Sequence, residues 1–205
     1  LELSLIDPAQ HRQLFLDDNA VEWTRQVTRT LHQPQKDQPV LMPDRSLDQV
    51  LVQSIDEPQW NSEKKVWEWW YRALYAVPPY GMGKTKESVN THYAISEDGV
   101  RWEKPSLELY EWRGSMDNNI AFDSSEVVCF QSRERSPAHI IRDDIDDDPQ
   151  RRYKGFFNDQ LNCNRSPGVS PDGFHWTQLD VPAIPSNDTS DLTYDEISNQ
   201  YLATV

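Results

Sequence analysis

Ser96-Glu97-Asp98-Gly99-Val100-Arg101-Trp102 returns as Ser170-Pro171-Asp172-Gly173-Phe174-His175-Trp176, one S-x-D-G-x-x-W element present twice in the chain. A reused unit dictates architecture, so this repeat outranks any single-segment reading. Each of its residues has a physical part in a tight turn between strands. Gly supplies a positive φ, Asp bonds the backbone of the turn, and Trp buries a large ring that anchors the outermost strand. Asp98 and Asp172 are therefore read as structural acids.

Outward from the repeat, a second element interleaves with it. Ile55-Asp56 precedes Trp67, Ile145-Asp146 precedes Tyr153, and Tyr194-Asp195 precedes Tyr201, each reading as a strand, an acidic turn and an aromatic strand returning. In Val66–Tyr75 the residues Trp67, Trp69, Tyr71, Ala73 and Tyr75 fall on one side of a strand, which suits a pleated surface packed against another sheet. Leu14-Phe15-Leu16, Gln49–Val52, Tyr93-Ala94-Ile95 and Tyr153–Phe157 read as further short strands. The 14 prolines are spread from Pro8 to Pro185 and leave little room for amphipathic helices. The order of strand, acidic hairpin, aromatic strand, Ser-x-Asp-Gly turn and Trp strand describes a four-stranded antiparallel unit, the size of a propeller blade. The class expected is all-β.

Composition narrows the partners. With 20 Lys+Arg against 34 Asp+Glu the formal charge is −14, which argues against nucleic acid and anionic membrane surfaces, since both bind basic patches. Eight Trp, eight Tyr and six Phe are too many for a disordered chain. No apolar run approaches the ~18 residues of a membrane span, and Leu1-Glu2-Leu3-Ser4 lacks the basic start of a signal peptide, so the expectation is a soluble chain whose export signal is removed or was never present. Cys129 and Cys163 are compatible with one bridge or two buried thiols. The sequons at Asn164 and Asn187 matter only in a source that glycosylates secreted proteins.

Five stretches together carry a family resemblance: Gln13–Asp18, Val27-Thr28-Arg29-Thr30-Leu31-His32-Gln33-Pro34, Tyr93–Pro105, Asp117-Asn118-Asn119-Ile120 and Arg152-Tyr153-Lys154-Gly155. The chain resembles bacterial proteins similar to glycoside hydrolase families 32 and 43, five-bladed β-propellers related to invertases, levanases and arabinanases. The resemblance implies a carbohydrate substrate, degradation of polysaccharide, and an extracellular or periplasmic location. It implies no cofactor, with Ca²⁺ left open. Five blades of ~70 residues need about 350 residues, so 205 residues would hold blade 1 at about 44–104, blade 2 at about 117–178 and the start of a third at about 187–205. The remainder of the propeller is expected beyond Val205 or from another chain.

In such a fold the innermost strand of each blade lines a central channel. With inner strands beginning near Asp44–Val52, Asp117–Phe122 and Asp188–Tyr194, the catalytic candidates are Asp48, Asp117 and Asp188, with Asp44 and Glu126 in reserve. Glycosidic cleavage needs two carboxylates, one protonated and one ionised. Asn118, Asn119 and Asp44 are candidates for substrate binding, as are Trp112 and Tyr80, whose rings could stack on a sugar. Ser46-Leu47-Asp48 stands where relatives tend to place a Trp-Glu pair, and the Asn-Asp-Pro-Asn-Gly, Arg-Asp-Pro and Glu-Cys blocks of invertases are absent. The rival expectation is therefore a non-catalytic propeller that recognises glycans or proteins.

Other motifs read as structure. Asp143–Asp148 could suit Ca²⁺, but Pro149 stands where an EF-hand loop needs Gly, so a solvated hairpin tip is expected. Gly81-Met82-Gly83-Lys84-Thr85 ends like a P-loop without its first Gly, the five His show no zinc spacing, and no G-x-S-x-G elbow occurs.

Overall fold

The computed structural model describes residues 21–77, 86–122, 137–159, 164–186, 190–195 and 197–205. The chain divides into two units, Leu1–Gln38 and Pro39–Val205. In the first, residues 21–38 follow an irregular path, and the strand expected at Leu14-Phe15-Leu16 lies outside the described residues. The second is all-β and antiparallel.

The first sheet contains β1 (Leu51–Gln53), β2 (Gln59–Asn61), β3 (Val66–Val77), β4 (Lys86–Ser96) and β5 (Ile120–Phe122). β1 and β2 pair with different stretches of β3, so they act as one first strand interrupted at Ser54–Pro58. The second sheet runs β6 (Pro137–Arg142), β7 (Tyr153–Asp159) and β8 (Asn164–Ser170), with β9 (Thr177–Gln178) and β10 (Ile184–Pro185) both paired to β8. β11 (Asp191–Asp195) and β12 (Gln200–Thr204) form a third, two-stranded sheet.

One expected strand changes sheet. Ile120–Phe122 does not open a second blade but pairs with β4 at Thr91 and His92, and the second sheet starts at β6. Asn119 brings it there: its carbonyl accepts from the Tyr93 amide at 2.9 Å, and its Nδ2 donates to the Tyr93 carbonyl at 2.8 Å. The three apolar residues that follow are all buried, which ties them to the first sheet.

Both copies of the repeat have the geometry expected of them. Gly99 and Gly173 take φ of 73° and 83°. Asp98 Oδ1 accepts from the amides of Val100 and Arg101, and Asp172 Oδ1 from those of Phe174 and His175. The Ser hydroxyls add a bond that composition does not reveal, accepting from the Gly amides at 2.8 and 2.9 Å. Trp102 and Trp176 donate Nε1–H back to the Gly carbonyls at 3.1 and 2.9 Å.

The sheets meet face to face in chain order. Trp70, Tyr93, Ala121 and Phe122 of the first pack against Ile140 and Tyr153 of the second, flanked by Phe174 and Trp176. Ile141 and Phe156 on the second sheet's opposite face meet Leu192 and Tyr194 of the third. The alternation in β3 thus needs correcting. Tyr71 and Ala73 do pack on one side, with Trp102, but the opposite side carries Trp70, which is fully buried between sheets.

Beside Trp70, Glu68 is fully buried and sits among donors. Tyr93 Oη and Lys64 Nζ donate to its Oε1 at 2.7 and 2.9 Å, and Tyr153 Oη of the second sheet donates to Oε2 at 2.6 Å. Burial works to raise this carboxyl's pKa, but the Tyr153, Tyr93 and Lys64 bonds outweigh it and hold the value below normal.

Gly173 offers a test of this interface. A Cβ there would lie 2.5 Å from Trp70 Cζ2, on a backbone at φ +83°. Gly114 has the same φ and nothing within 4 Å. Gly173→Ala should therefore cost about 2–4 kcal/mol, overpacking added to backbone strain, against about 1 kcal/mol for Gly114→Ala. Urea unfolding of both variants checks this, and equal costs would refute the Trp70 contact.

Candidate functional site

A cleft of about 490 Å³ opens beside the first sheet, lined by Arg45, Ser46, Leu47, Lys104, Trp112, Arg113, Ser115, Asp117 and Asn118. Two segments build it: the turn that leads into β1 and the loop between Lys104 and β5. Arg45 joins them, its guanidinium donating to the Lys104 carbonyl at 2.8 Å.

Lys104 is buried and uses all three of its ammonium donors. Nζ donates to the Met42 carbonyl at 2.7 Å, to Asp48 Oδ2 at 2.6 Å and to Asp44 Oδ1. Asp48 is fully buried, and its other oxygen accepts from the Arg45 amide at 2.8 Å. Asp44 shares the same lysine with an exposed side chain. What burial it has acts to raise its pKa, but the bond to Lys104 and that cation's charge outweigh this and hold the carboxyl below normal. Asp48 is thus a closed ion-pair partner, whereas Asp44 is an ionised carboxylate open to solvent.

The other sequence candidates divide similarly. Asp117 lies exposed in the cleft with its amide, not its carboxylate, engaged by Ser115 Oγ at 3.1 Å. Asn118 lines the cleft but spends its amide on the loop, donating to the Tyr110 and Ser115 carbonyls and accepting from the Ile120 amide. Asn119 is buried and bonds Tyr71 Oη at 2.9 Å, so it serves the sheet rather than a ligand. Trp112 is half-buried in the cleft wall. The Arg113 guanidinium lies 4.4 Å from its ring centroid, the Tyr75 ring meets it edge-on at 5.6 Å, and its buried indole N–H has no hydrogen-bond partner. Tyr80, Glu126, Asp188, Cys129 and Cys163 lie outside the described residues.

The acidic hairpin is not simply a solvated tip. Asp143 is buried, accepts from the amides of Ile145 and Asp146, and is bonded by Lys154 Nζ at 2.5 Å and by Tyr201 Oη. Burial opposes ionisation here, yet the Lys154 and Tyr201 bonds prevail and hold the carboxyl down at about 2. Among the described residues no group of three or more His, Cys, Asp or Glu is placed to share a metal ion.

A second polar cluster escapes the sequence reading. Asp56 in the break of the first strand, His139 in β6 and Ser190 just before β11 come together from three sheets. Asp56 Oδ1 accepts from the His139 amide at 2.7 Å and stands 3.8 Å from its Nδ1, while His139 Nε2 lies 2.9 Å from Ser190 Oγ. Burial pushes the Asp56 carboxyl up to about 7, against the pull of the His139 and Ile140 amides. Burial, then the charge of Arg165, lowers the His139 pKa. Asp56 stands out in sequence only as part of an acidic turn, and nothing local ties it to residues 83 and 134 positions away.

No family model, curated protein or solved structure matches the chain.

Proposed function

We propose that this chain belongs to a β-propeller of glycoside-hydrolase type that acts on a poly- or oligosaccharide held in the cleft. The observation that carries the reading is the gathering of Trp112, Asp117 and Asn118 into one cleft, with Asp44 and Asp48 on the lysine in its wall. An aromatic ring beside carboxylate and guanidinium groups is what a sugar's apolar faces and hydroxyl rims require.

The reacting carboxylates on this reading are Asp117 and Asp44, not Asp48. Asp48 has both oxygens occupied and no exposed surface, so it cannot touch a substrate. Asp44, ionised beside Lys104, suits the base or nucleophile, and Asp117, exposed in the cleft, is the second carboxylate of the pair. The same closure of Asp48 favours the rival reading of glycan recognition without turnover.

Reducing-end release from a panel of plant and microbial polysaccharides, with calorimetric binding of oligosaccharides, separates the two. For a hydrolase, Asp117→Asn and Asp44→Asn each lose turnover by about a hundredfold or more while binding persists. Trp112→Ala weakens binding in either case. Unchanged turnover in both Asn variants would overturn the paired-carboxylate assignment. Binding lost in Trp112→Ala from a wild-type chain without turnover would leave recognition alone.

A further inference from the structure

The cluster at the junction of the three sheets has the parts of a nucleophile and its base, and it stands whether or not the cleft takes a sugar. Ser190 is half-buried, and its Oγ lies 2.9 Å from His139 Nε2, within the reach that hydroxyl activation requires. His139 is held in an unusual way. Its φ is 55° and it sits where the β6–β7 register shifts, at a bulge that re-aims its side chain. A non-glycine residue in that conformation costs of order 1 kcal/mol or more, and such strain is concentrated at functional sites. Asp56 holds the strained backbone through the bond from the His139 amide, and its Oδ1 faces Nδ1, which has no hydrogen-bond partner. Ser190 Oγ accepts from Arg165 Nε–H, so its own O–H is left to donate to Nε2, which makes Nε2 the acceptor and puts the ring proton on Nδ1.

The third component is a cation. Arg165 is almost wholly buried and donates Nε–H to Ser190 Oγ at 2.9 Å. A buried guanidinium beside a hydroxyl favours its alkoxide form and stabilises negative charge developing on an adjacent carbonyl oxygen. Asp191, next to Ser190, is exposed and keeps one side of the cluster in contact with water.

We propose that Ser190 is the nucleophile and His139 the general base of an acyl-transfer site that hydrolyses small carboxylic esters. Ser190 Oγ bonds to the carbonyl carbon while its proton passes to His139 Nε2. The ester's C–O bond then breaks, and the departing alcohol takes that proton. Water attacks the acyl group with its proton going to His139, the Oγ–C bond breaks, and Oγ recovers the proton, so ester and water give carboxylic acid and alcohol. Asp56 is a positioning residue that acts through His139.

The test treats the chain with diisopropyl fluorophosphate, follows intact mass and peptide mapping, and measures p-nitrophenyl acetate hydrolysis. The expected result is one covalent adduct, located on Ser190, and hydrolysis above the buffer rate. Ser190→Ala should lose the adduct and at least a hundredfold of the hydrolysis. His139→Asn suits the backbone, because Asn tolerates a left-handed conformation, and should slow labelling and hydrolysis about a hundredfold with an unchanged melting midpoint. No adduct on the wild-type chain, an adduct on another residue, or an active Ser190→Ala variant would each overturn the assignment.

Discussion

Replacing Lys104 by Met lowers the unfolding free energy by about 3–5 kcal/mol near neutral pH, the size of effect expected when one partner of a buried ion pair is removed. The cause is Asp48. It has no exposed surface, and without the ammonium 2.6 Å away its charge would face only the Arg45 amide. Asp44, being open to water, contributes little to the loss. The double variant Lys104→Met with Asp48→Leu should recover most of the stability, since apolar replacement of a whole buried pair is often neutral or better. Urea unfolding of the single and double variants at pH 7 gives both numbers. A Lys104→Met chain as stable as wild type would release Asp48 from its structural role and return it to the catalytic candidates.

Asp56→Asn acts in the opposite direction. At pH 8 it should stabilise the chain by about 4 kcal/mol, the linkage value of a carboxyl shifted from 3.8 to about 7 on folding. Between those values the folded chain holds a proton that the unfolded chain has lost, so wild-type stability falls as pH rises, and the whole penalty is present above pH 7. Asn mimics the protonated carboxyl at every pH, so its advantage vanishes near pH 4. In melting temperature the gain at pH 8 is about 8–16 °C for a chain of this length.

His92 supplies an internal comparison. Burial, then the nearby charges of Lys104 and Arg45, depresses its pKa from 6.5 to about 3 against the upward pull of Asn119. Here the unfolded chain binds the extra proton, and stability rises with pH across that range. The two slopes oppose one another between about pH 4 and 6.5, and the lowered His139 adds to the upward one. The Asn variant should climb by about 1.4 kcal/mol per pH unit more steeply than the wild type over the same interval. A wild-type profile parallel to that of Asp56→Asn would mean that Asp56 is ionised at no cost.

What the sequence discloses and what it hides divide by range. The turns of the repeat are legible because the side-chain bonds of Ser96, Asp98 and Trp102 that shape the turn stay within seven residues, and those of Ser170, Asp172 and Trp176 do the same. The strands around Trp67, Tyr93 and Tyr153 are legible from aromatic and β-branched content. The sheet to which Ile120–Phe122 belongs is not, since an apolar run of three pairs equally well with either neighbour and the Asn119–Tyr93 bonds decide. Asp48 is visible as an acid at a strand entry, but the lysine that closes it is 56 positions away. Asp117 and Trp112 are found because one short loop carries both. Asp56, His139 and Ser190 are missed because their relation exists only once three sheets have stacked.

The carboxylate of Glu68 has a consequence for how the first two sheets are aligned. Apolar faces such as those around Trp70 tolerate sliding, because one greasy contact substitutes for another. Glu68 does not, for it is bonded at once by Tyr93 of its own sheet and by Tyr153 of the next, which also accepts from Asn61 and Arg142. A slip of one residue along either strand would strand a charge with its donors on the wrong side of the pleat. The alignment of the first two sheets is thus set by a single acid acting as a keyway.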